Sequence, residues 1–283
     1  RIWVASSNYA EDLRIDHSIL DQHADSYRKI RNTFRFLLGN LNDNYEKIDL
    51  EKINLSELPE LEQFMLHKIY TLNENFKNYF NNYDFHNLYK ELLNFCTVDL
   101  SAFYFDIRKD SLYCDSKDSK KRQSTIILLN VILNSLLKWF APILSFTTEE
   151  IYRLIMNDNK SIHLTKFLKF PTSFKNENLN QKWLELIKIR NICNISIEEK
   201  RASKEIGSSL EASLKINLDK KLTDISKDVD FSELCITSSA EVSYLENSET
   251  KVQTSKAEGL KCQICWKITK EACSRKTCPK HSG

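Results

Sequence analysis

The scarcity of helix-breaking residues constrains this chain more than any other feature of its sequence. Only four glycines and four prolines occur among 283 residues. The turns of β-sandwiches and the loops that cradle phosphates depend on glycine, because glycine adopts positive φ angles at little cost. So few glycines argue against an all-β sandwich or a glycine-rich nucleotide fold, and they favour long helices. The predicted fold class is therefore mainly α.

The overall composition suits a globular chain of two modest domains, or of one larger domain with appendages. Hydrophobic residues make up 41% of the chain and charged residues 28%, which is enough apolar material for a buried core. The formal net charge is only +2, so the total charge does not by itself indicate a nucleic-acid partner. Residue 1 is arginine and no basic-then-apolar leader follows it, which predicts a piece of a longer chain.

Apolar residues recur at three- and four-residue spacing through the first half of the chain, which indicates amphipathic helices. The predicted helices cover Asp16–Asn40, Ser56–Phe80, Asp84–Phe105, Lys120–Phe140 and a segment opened by a capping box from Thr147 to Glu150. We interpret Asp106–Asp118, with its clustered acidic residues, as a polar turn. Together these patterns predict a helical bundle over 17–177, preceded by a connector at 1–16.

The longest apolar stretch, Thr125–Phe146, could be mistaken for a membrane span. It carries Asn130, Asn134 and Lys138 at four-residue spacing, which places one polar stripe on an otherwise apolar helix. A lipid-exposed helix would not tolerate such a stripe. The pattern predicts a central helix of the bundle, and we expect no membrane association.

After the bundle the pattern changes to that of a small α+β unit at 178–249. The expected elements are a helix over Asn178–Glu205, an alternating strand over Leu210–Leu218, a short helix over Leu222–Lys227, and short strands over Leu234–Thr237 and Ala240–Leu245. Asn247–Gly259 is polar, and we interpret it as a linker to the tail at 255–283.

The tail contains a cluster of cysteines with the spacing of a zinc site. Cys262, Cys265, Cys273 and Cys278 fall within 17 residues, whereas the other four cysteines are scattered. Cys262 and Cys265, separated by two residues on one tight turn, suit adjacent corners of a tetrahedron. Cys278 is the third expected ligand, and either Cys273 or His281 is the fourth. The spacing leaves both choices open. We expect one structural zinc; the alternative, a set of ordinary cysteines, is disfavoured because the segment is too short for a core of its own.

The tail is also basic, and it carries one conspicuous aromatic residue. Between Ser255 and Gly283 there are seven lysines or arginines and two glutamates. Trp266 directly follows a predicted zinc ligand, so it is a candidate platform for an unstacked RNA base. The alternative, that Trp266 packs the small core of the tail, is equally compatible with the composition.

A second basic feature lies on the first predicted helix. Arg28, Arg31 and Arg35 share one helical face, with Lys29 and Asn32 beside them. Such a run is usually a solvated face. Because this helix precedes a basic, cysteine-rich tail, we predict that these five residues contact the phosphates or bases of a nucleic acid.

The sequence offers no catalytic constellation. The six histidines are scattered, and no glycine loop, catalytic triad or paired-carboxylate pattern emerges. A polar turn explains Asp106, Asp110 and Asp115. We therefore predict no catalytic residue in this chain.

Three stretches, together with the zinc tail, carry a resemblance to the isoleucyl-tRNA synthetase family of bacterial type. Arg1–Tyr9 with Glu11–Ile15 resembles the segment that follows the second ATP-binding signature of that family. Tyr27–Leu41 resembles the first helix of the anticodon-binding domain, and Phe103–Asp110 with Leu112–Cys114 resembles another family stretch. The resemblance spans essentially the whole chain, and the Cys-x-x-Cys-Trp module is what distinguishes it from valyl and leucyl relatives.

The resemblance implies part of a class I enzyme that activates isoleucine with ATP and magnesium and transfers it to isoleucine tRNA. Neither ATP-binding signature, of the His-Ile-Gly-His or the Lys-Met-Ser-Lys-Ser type, occurs in this sequence, so we expect the isolated chain to be inactive. The family usually ends in a Cys-x-x-Cys pair, whereas His281 occupies the last position here.

The resemblance further implies a cytoplasmic protein, and we expect a monomer. The alternative function is a freestanding, non-enzymatic tRNA- or RNA-binding zinc protein.

Overall fold

The structure, a computed structural model, describes residues 1–41, 45, 49–156, 160–246 and 249–270. The chain divides into two compact units. The first comprises Arg1–Phe105 and Lys117–Asn176, and the second comprises Asp106–Ser116 and Glu177–Gly283. The described part of the chain is mainly helical, as the scarcity of glycine and proline predicts.

The helices account for most of the first unit and for part of the second. The α-helices are α1 Ile2–Ser6, α2 His17–Leu41, α3 Glu60–Asn81, α4 Phe85–Asn94, α5 Asp106–Cys114, α6 Lys120–Phe140, α7 Ser145–Met156, α8 Glu177–Ala202, α9 Thr223–Ser226 and α10 Phe231–Leu234. Phe95–Phe105, between α4 and α5 in sequence, is a π-helical segment. Short 3₁₀ turns lie at Leu50–Lys52, Leu55–Glu57, Ile162–Leu164, Thr172–Phe174, Ser209–Glu211 and Lys220–Leu222.

Local capping signals in the sequence fix where several helices begin. Asp16 Oδ1 accepts a hydrogen bond from the backbone N–H of Ile19 at 2.8 Å, just before α2. Asp84 accepts from the N–H of Asn87 at 3.2 Å and caps α4, as predicted. The predicted bounds of Lys120–Phe140 coincide with α6. Helices with strong periodicity and a cap are thus confirmed close to their predicted positions.

Two buried polar side chains, Asn73 and Trp139, link α3 and α6 in the core of the first unit. Trp139 of α6 is buried, and its indole Nε1–H donates to Oδ1 of the fully buried Asn73 at 3.1 Å. Asn73 Nδ2 in turn donates to the backbone carbonyl of Leu168 at 3.2 Å. The rings of Trp139 and Phe76 pack edge to face with their centroids 4.9 Å apart. These bonds satisfy polar groups that would be costly to bury without partners.

Helix α6 is a core helix. By length and composition alone it could cross a membrane, but 72% of its most apolar stretch is buried inside the protein. The Asn130 and Asn134 side chains donate to the backbone carbonyls of Ile126 and Asn130, four residues earlier. The polar stripe is thereby accommodated within the bundle.

The second unit is built on a three-stranded sheet with strand order β2-β1-β3. The strands are β1 Ala212–Asp219, β2 Ser239–Leu245 and β3 Lys251–Lys256. β1 pairs in parallel with β2 and antiparallel with β3. The inward residues of β1, which are Ala212, Leu214, Ile216 and Leu218, are fully buried, and this confirms the alternating strand that the sequence predicts. Helix α8 contacts β3, where the hydroxyls of Ser196 and Thr254 lie 2.8 Å apart.

The polar turn expected at Asp106–Asp118 is wrong, because Asp106–Cys114 forms α5. Ile107, Arg108, Ser111 and Leu112 are buried along one side of this helix. The buried Arg108 guanidinium forms an ion pair with Glu233 Oε1 at 2.8 Å. That partner lies 125 residues away in sequence, so local polarity misidentified a helix that is stabilised by a distant contact.

The strand expected at Leu234–Thr237 is also wrong, because Phe231–Leu234 forms the short helix α10. The Asp230 carboxylate caps it by accepting from the N–H groups of Ser232 and Glu233. The chain then turns through Ile236, which has a positive φ of 57° that no regular strand contains.

Two further predictions, the helix cap at Thr147 and the linker at Asn247–Gly259, are also wrong. In both cases contacts with residues distant in sequence decide the local structure. Helix α7 begins at Ser145, and the expected cap residue Thr147 instead bonds to the hydroxyl of Tyr27 at 3.0 Å. The Asn247–Gly259 segment contains strand β3, which pairs with β1 and so is more than a linker.

Candidate RNA-binding surfaces

The basic face predicted on α2 exists as a solvent-exposed surface of the first unit. Arg28, Lys29, Arg31, Asn32 and Arg35 are all exposed. The opposite side of the same helix buries Ile30, Phe34 and Leu37 in the core. The 3.6-residue period of the helix therefore fixes the orientation of both faces at once. We call these five exposed residues the α2 stripe.

The positive charge of the α2 stripe is only partly compensated. Arg28 forms an ion pair with Asp25, one turn earlier on the same helix. Arg31 and Arg35 make no ion pair within the described ranges. Exposed cations without a carboxylate partner retain their full attraction for an anionic ligand. Arg31 and Arg35 are thus the arginines of the stripe that are best placed to meet a phosphate backbone.

The two described cysteines of the tail lie in a tight hairpin turn of the second unit. This turn connects β4 Leu260–Lys261 to β5 Ile268–Thr269, which pair antiparallel. Cys262 and Cys265 are both buried. The Cys262 sulfur accepts hydrogen bonds from the backbone N–H groups of Ile264 at 3.3 Å and Cys265 at 3.4 Å. Such amide donors stabilise a thiolate, which is the form that binds metal.

Gly259 is required for this hairpin to close. Its φ is +137°, and a Cβ atom at this position would lie 2.2 Å from the backbone oxygen of Thr269. Any side chain would therefore collide with the end of the partner strand β5. Glycine here lets the two strands approach each other.

Two side chains anchor the hairpin to the rest of the second unit. The Ser238 hydroxyl accepts from the N–H of Ile268 at 2.6 Å and donates to the carbonyl of Leu210 at 2.5 Å. Lys261 Nζ lies 3.6 Å from a carboxylate oxygen of Glu211. The hairpin is thus held at both of its strands.

Two carboxylates near the hairpin, Glu211 and Asp230, have lowered pKa values. The backbone N–H of Gly207 is the main cause at Glu211, with a further contribution from Lys261. At Asp230 burial alone would raise the pKa, but hydrogen bonds from Ser232 and Glu233 together with the charge of Lys267 outweigh it. Both carboxylates therefore remain ionised at neutral pH and offset lysines of the hairpin.

Trp266 projects from the hairpin into solvent. It is 60% exposed, so it does not pack into a core formed by the described residues. Its φ is +62°, a left-handed conformation that is costly for a residue with a side chain. Its backbone N–H bonds to the carbonyl of Cys262 at 3.1 Å, which fixes the turn. The turn presents a large aromatic ring outward from a constrained backbone.

The structure describes only the first two of the predicted metal ligands, Cys262 and Cys265. Cys273, Cys278 and His281 lie outside the described residues. Within the ranges that are described, no group of three or more His, Cys, Asp or Glu side chains is arranged to hold a metal. The buried sulfur pair with its amide donors nevertheless suits one half of a tetrahedral thiolate site.

Sequence reasoning missed the contribution of α5 to this region. Cys114, the last residue of α5, packs against Cys262 and Cys265. Tyr113 and Trp266 line one cavity within the second unit. No local pattern could associate these residues, because the contact between Cys114 and Ile264 joins positions 150 residues apart in the chain.

Residues 62–216 of the chain match the family model described as the anticodon-binding domain of tRNA ligase. The matched region begins in α3 and ends in β1.

Curated proteins similar to this chain are isoleucine–tRNA ligases. The chain is 72% identical to that of Pelagibacter ubique over 275 residues, which cover 97% of this chain and 30% of the relative. It is 38% identical to that of Agrobacterium fabrum over 281 residues, which cover 95% of this chain and 28% of the relative. A third relative, from Zymomonas mobilis, is also 38% identical, over 94% of this chain. The chain thus spans about 30% of the length of these relatives.

Proposed function

This chain belongs to the anticodon-binding domain family of tRNA ligases, and from that premise we propose that it recognises the anticodon region of isoleucine tRNA as part of an isoleucine–tRNA ligase. The match over residues 62–216 is the observation that carries the proposal. The identity of the named ligases over nearly the whole chain supports isoleucine as the amino acid concerned.

The two exposed surfaces suit different tasks in RNA recognition. Phosphate contacts supply affinity and position the RNA, whereas stacking and contacts to base edges supply discrimination. Arg31 and Arg35, which are exposed and make no ion pair with any residue that the structure describes, fit the first task, with Arg28, Lys29 and Asn32 beside them. The exposed ring of Trp266 fits the second, because an unstacked base can lie flat against it.

One structural zinc ion, in this proposal, holds the tail together. Cys262, Cys265 and Cys278 supply three thiolates, and either Cys273 or His281 supplies the fourth ligand. The buried sulfurs and the two N–H groups that point at Cys262 support this assignment. Zinc contributes folding free energy to a segment that is too short to bury a core.

The whole protein, on this proposal, is a cytoplasmic class I ligase that uses ATP and magnesium to charge isoleucine onto its tRNA. This chain supplies tRNA recognition, and no residue in it is assigned a role in the chemical steps. We propose that it acts as a monomer, since one tRNA engages one anticodon-binding unit.

The first test is the binding of purified chain to isoleucine tRNA and to a tRNA with another anticodon, measured on filters. We expect tighter binding to isoleucine tRNA. Replacing Trp266 with alanine should weaken that binding by about 1–3 kcal/mol, the value of one base stack. Binding to the other tRNA should hardly change.

A matched variant separates loss of the ring from loss of the fold. Trp266→Gly also removes the ring, but it relieves backbone strain at the positive φ, which costs about 1–3 kcal/mol for a residue with a Cβ. If Trp266 stacks on a base, the glycine and alanine variants bind equally weakly. Recovery of binding in Trp266→Gly would mean that the alanine variant had merely unfolded the hairpin. Equal loss for both tRNAs would contradict a role in discrimination.

A further inference from the structure

Helix α5 and the hairpin of the second unit enclose a cavity of about 210 Å³. Its apolar lining includes Ile107, Leu210, Ile236 and Ile264. Cavities that enclose a whole drug-sized ligand usually measure about 300–1,000 Å³. This cavity is smaller, so it suits one flat fragment of a larger ligand.

Two exposed aromatic residues from different elements line this cavity. Trp266 projects from the hairpin and is 60% exposed, and Tyr113 projects from the last turn of α5 and is 64% exposed. Large aromatic side chains are normally buried, since exposing them costs hydrophobic free energy. Their joint exposure at one apolar cavity indicates a binding site for an aromatic ring.

The charges around the cavity disfavour a phosphate. Lys109 and Lys267 line it together with Asp110 and Glu233, so the formal charges cancel. Lys109 is bonded to Asp106, and Glu233 is bonded to Arg108. Among the described residues that line the cavity, a phosphate would find no excess of positive charge, unlike at the α2 stripe. A neutral aromatic base fits better, because it gains stacking without requiring a counter-charge.

We propose that this cavity receives one unstacked base of the anticodon loop, with Tyr113 forming a second stacking surface opposite Trp266. The proposal rests on the proposed function, since it takes the anticodon region as the ligand. It adds Tyr113, a residue on a helix that the sequence does not predict, as a determinant of specificity. Two aromatic surfaces hold a base on both faces and exclude water from them.

The test compares three variants of the full chain in binding the anticodon stem-loop of isoleucine tRNA. Tyr113→Ala should weaken binding roughly 5- to 150-fold, the range expected for one lost base stack. Tyr113→Phe keeps the ring and should bind like the wild type. Tyr83→Ala is the matched control, since Tyr83 is similarly exposed at 69% but does not line the cavity.

A stem-loop with single abasic positions identifies the base and guards against unfolding. At one loop position, removal of the base should weaken wild-type binding by the same factor as Tyr113→Ala. With that RNA, Tyr113→Ala should have no further effect. The salt dependence should be unchanged by Tyr113→Ala, because no phosphate contact is lost.

The outcomes separate this inference from the function on which it rests. If the wild-type chain does not bind the stem-loop, the proposed function fails, and this inference fails with it. If the wild type binds but Tyr113→Ala behaves like Tyr83→Ala, only the role of Tyr113 is overturned. A flatter salt dependence in Tyr113→Ala would also overturn the role of Tyr113. The same holds if Tyr113→Ala weakens binding to every abasic RNA as much as it weakens binding to the intact stem-loop.

Discussion

The α2 stripe makes a quantitative prediction about the salt dependence of tRNA binding. Arg31 and Arg35 are exposed and lack an ion-pair partner within the described ranges, so each is available to a phosphate. Each phosphate contact to a single strand contributes about 0.7 to the slope of log K against log salt. Replacing both arginines with glutamine should therefore lower the slope by about 1.4. Between about 50 and 200 mM salt, the wild-type affinity should fall roughly sevenfold more than that of the double variant.

Arg28 should contribute less, although it lies on the same face. It must first leave Asp25, and such exposed pairs are worth up to about 1 kcal/mol. Arg28→Gln should therefore change the slope less than Arg31→Gln does. Asp25→Asn should strengthen binding modestly, because it frees Arg28 and removes a negative charge from the surface.

Filter binding of isoleucine tRNA at several salt concentrations measures these slopes. Arg153→Gln is the matched control, since Arg153 is an exposed arginine on α7 that is paired with Glu149 and lies outside the stripe. Its slope should equal that of the wild type. An unchanged slope in the Arg31 and Arg35 double variant would refute the phosphate-binding role of the stripe. A slope that falls equally in Arg153→Gln would show that only net charge matters.

Two further predictions concern stability and metal. Asn73→Ala leaves the Trp139 N–H and the Leu168 carbonyl without their partners, so the free energy of unfolding should fall by about 2–6 kcal/mol in urea titrations; a loss below about 1 kcal/mol would contradict the importance of these bonds. Elemental analysis of chain purified without chelator should find about one zinc per chain, as expected of a single four-ligand site, and no metal would refute the site. Of Cys273→Ser and His281→Ala, only the variant that removes the true ligand should release zinc readily.

Much of the candidate site is accessible to sequence reasoning, because its signals are local. The spacing of Cys262 and Cys265 predicts a tight turn, and the structure places both sulfurs within one. Likewise, the period of α2 separates Arg31 and Arg35 from the buried Phe34. The contribution of α5 to the lining of the cavity beside Trp266 could not be predicted.

The errors in the predicted elements have a common physical origin. The acidic residues of Asp106–Cys114 suggest a turn, yet the segment is a helix that buries Ile107 and Leu112 and pairs Arg108 with Glu233 of α10. At Leu234–Thr237 the apolar residues predict a strand, but the structure has the short helix α10 there, capped by Asp230, followed by a turn at Ile236. For Lys251–Lys256 the alternation is short, and only pairing with β1 makes it a strand.

The sequence alone determined the mainly helical fold, the position of α6, the exposed α2 stripe and the pairing of Cys262 with Cys265 in one turn. Each follows from interactions within a few residues, namely helical periodicity, capping and chain stiffness. The tertiary structure decided the helicity of α5, the exposure of Trp266 and the cavity that it shares with Tyr113. These depend on contacts between residues far apart in the chain, whose free energies are settled only when the whole unit has folded.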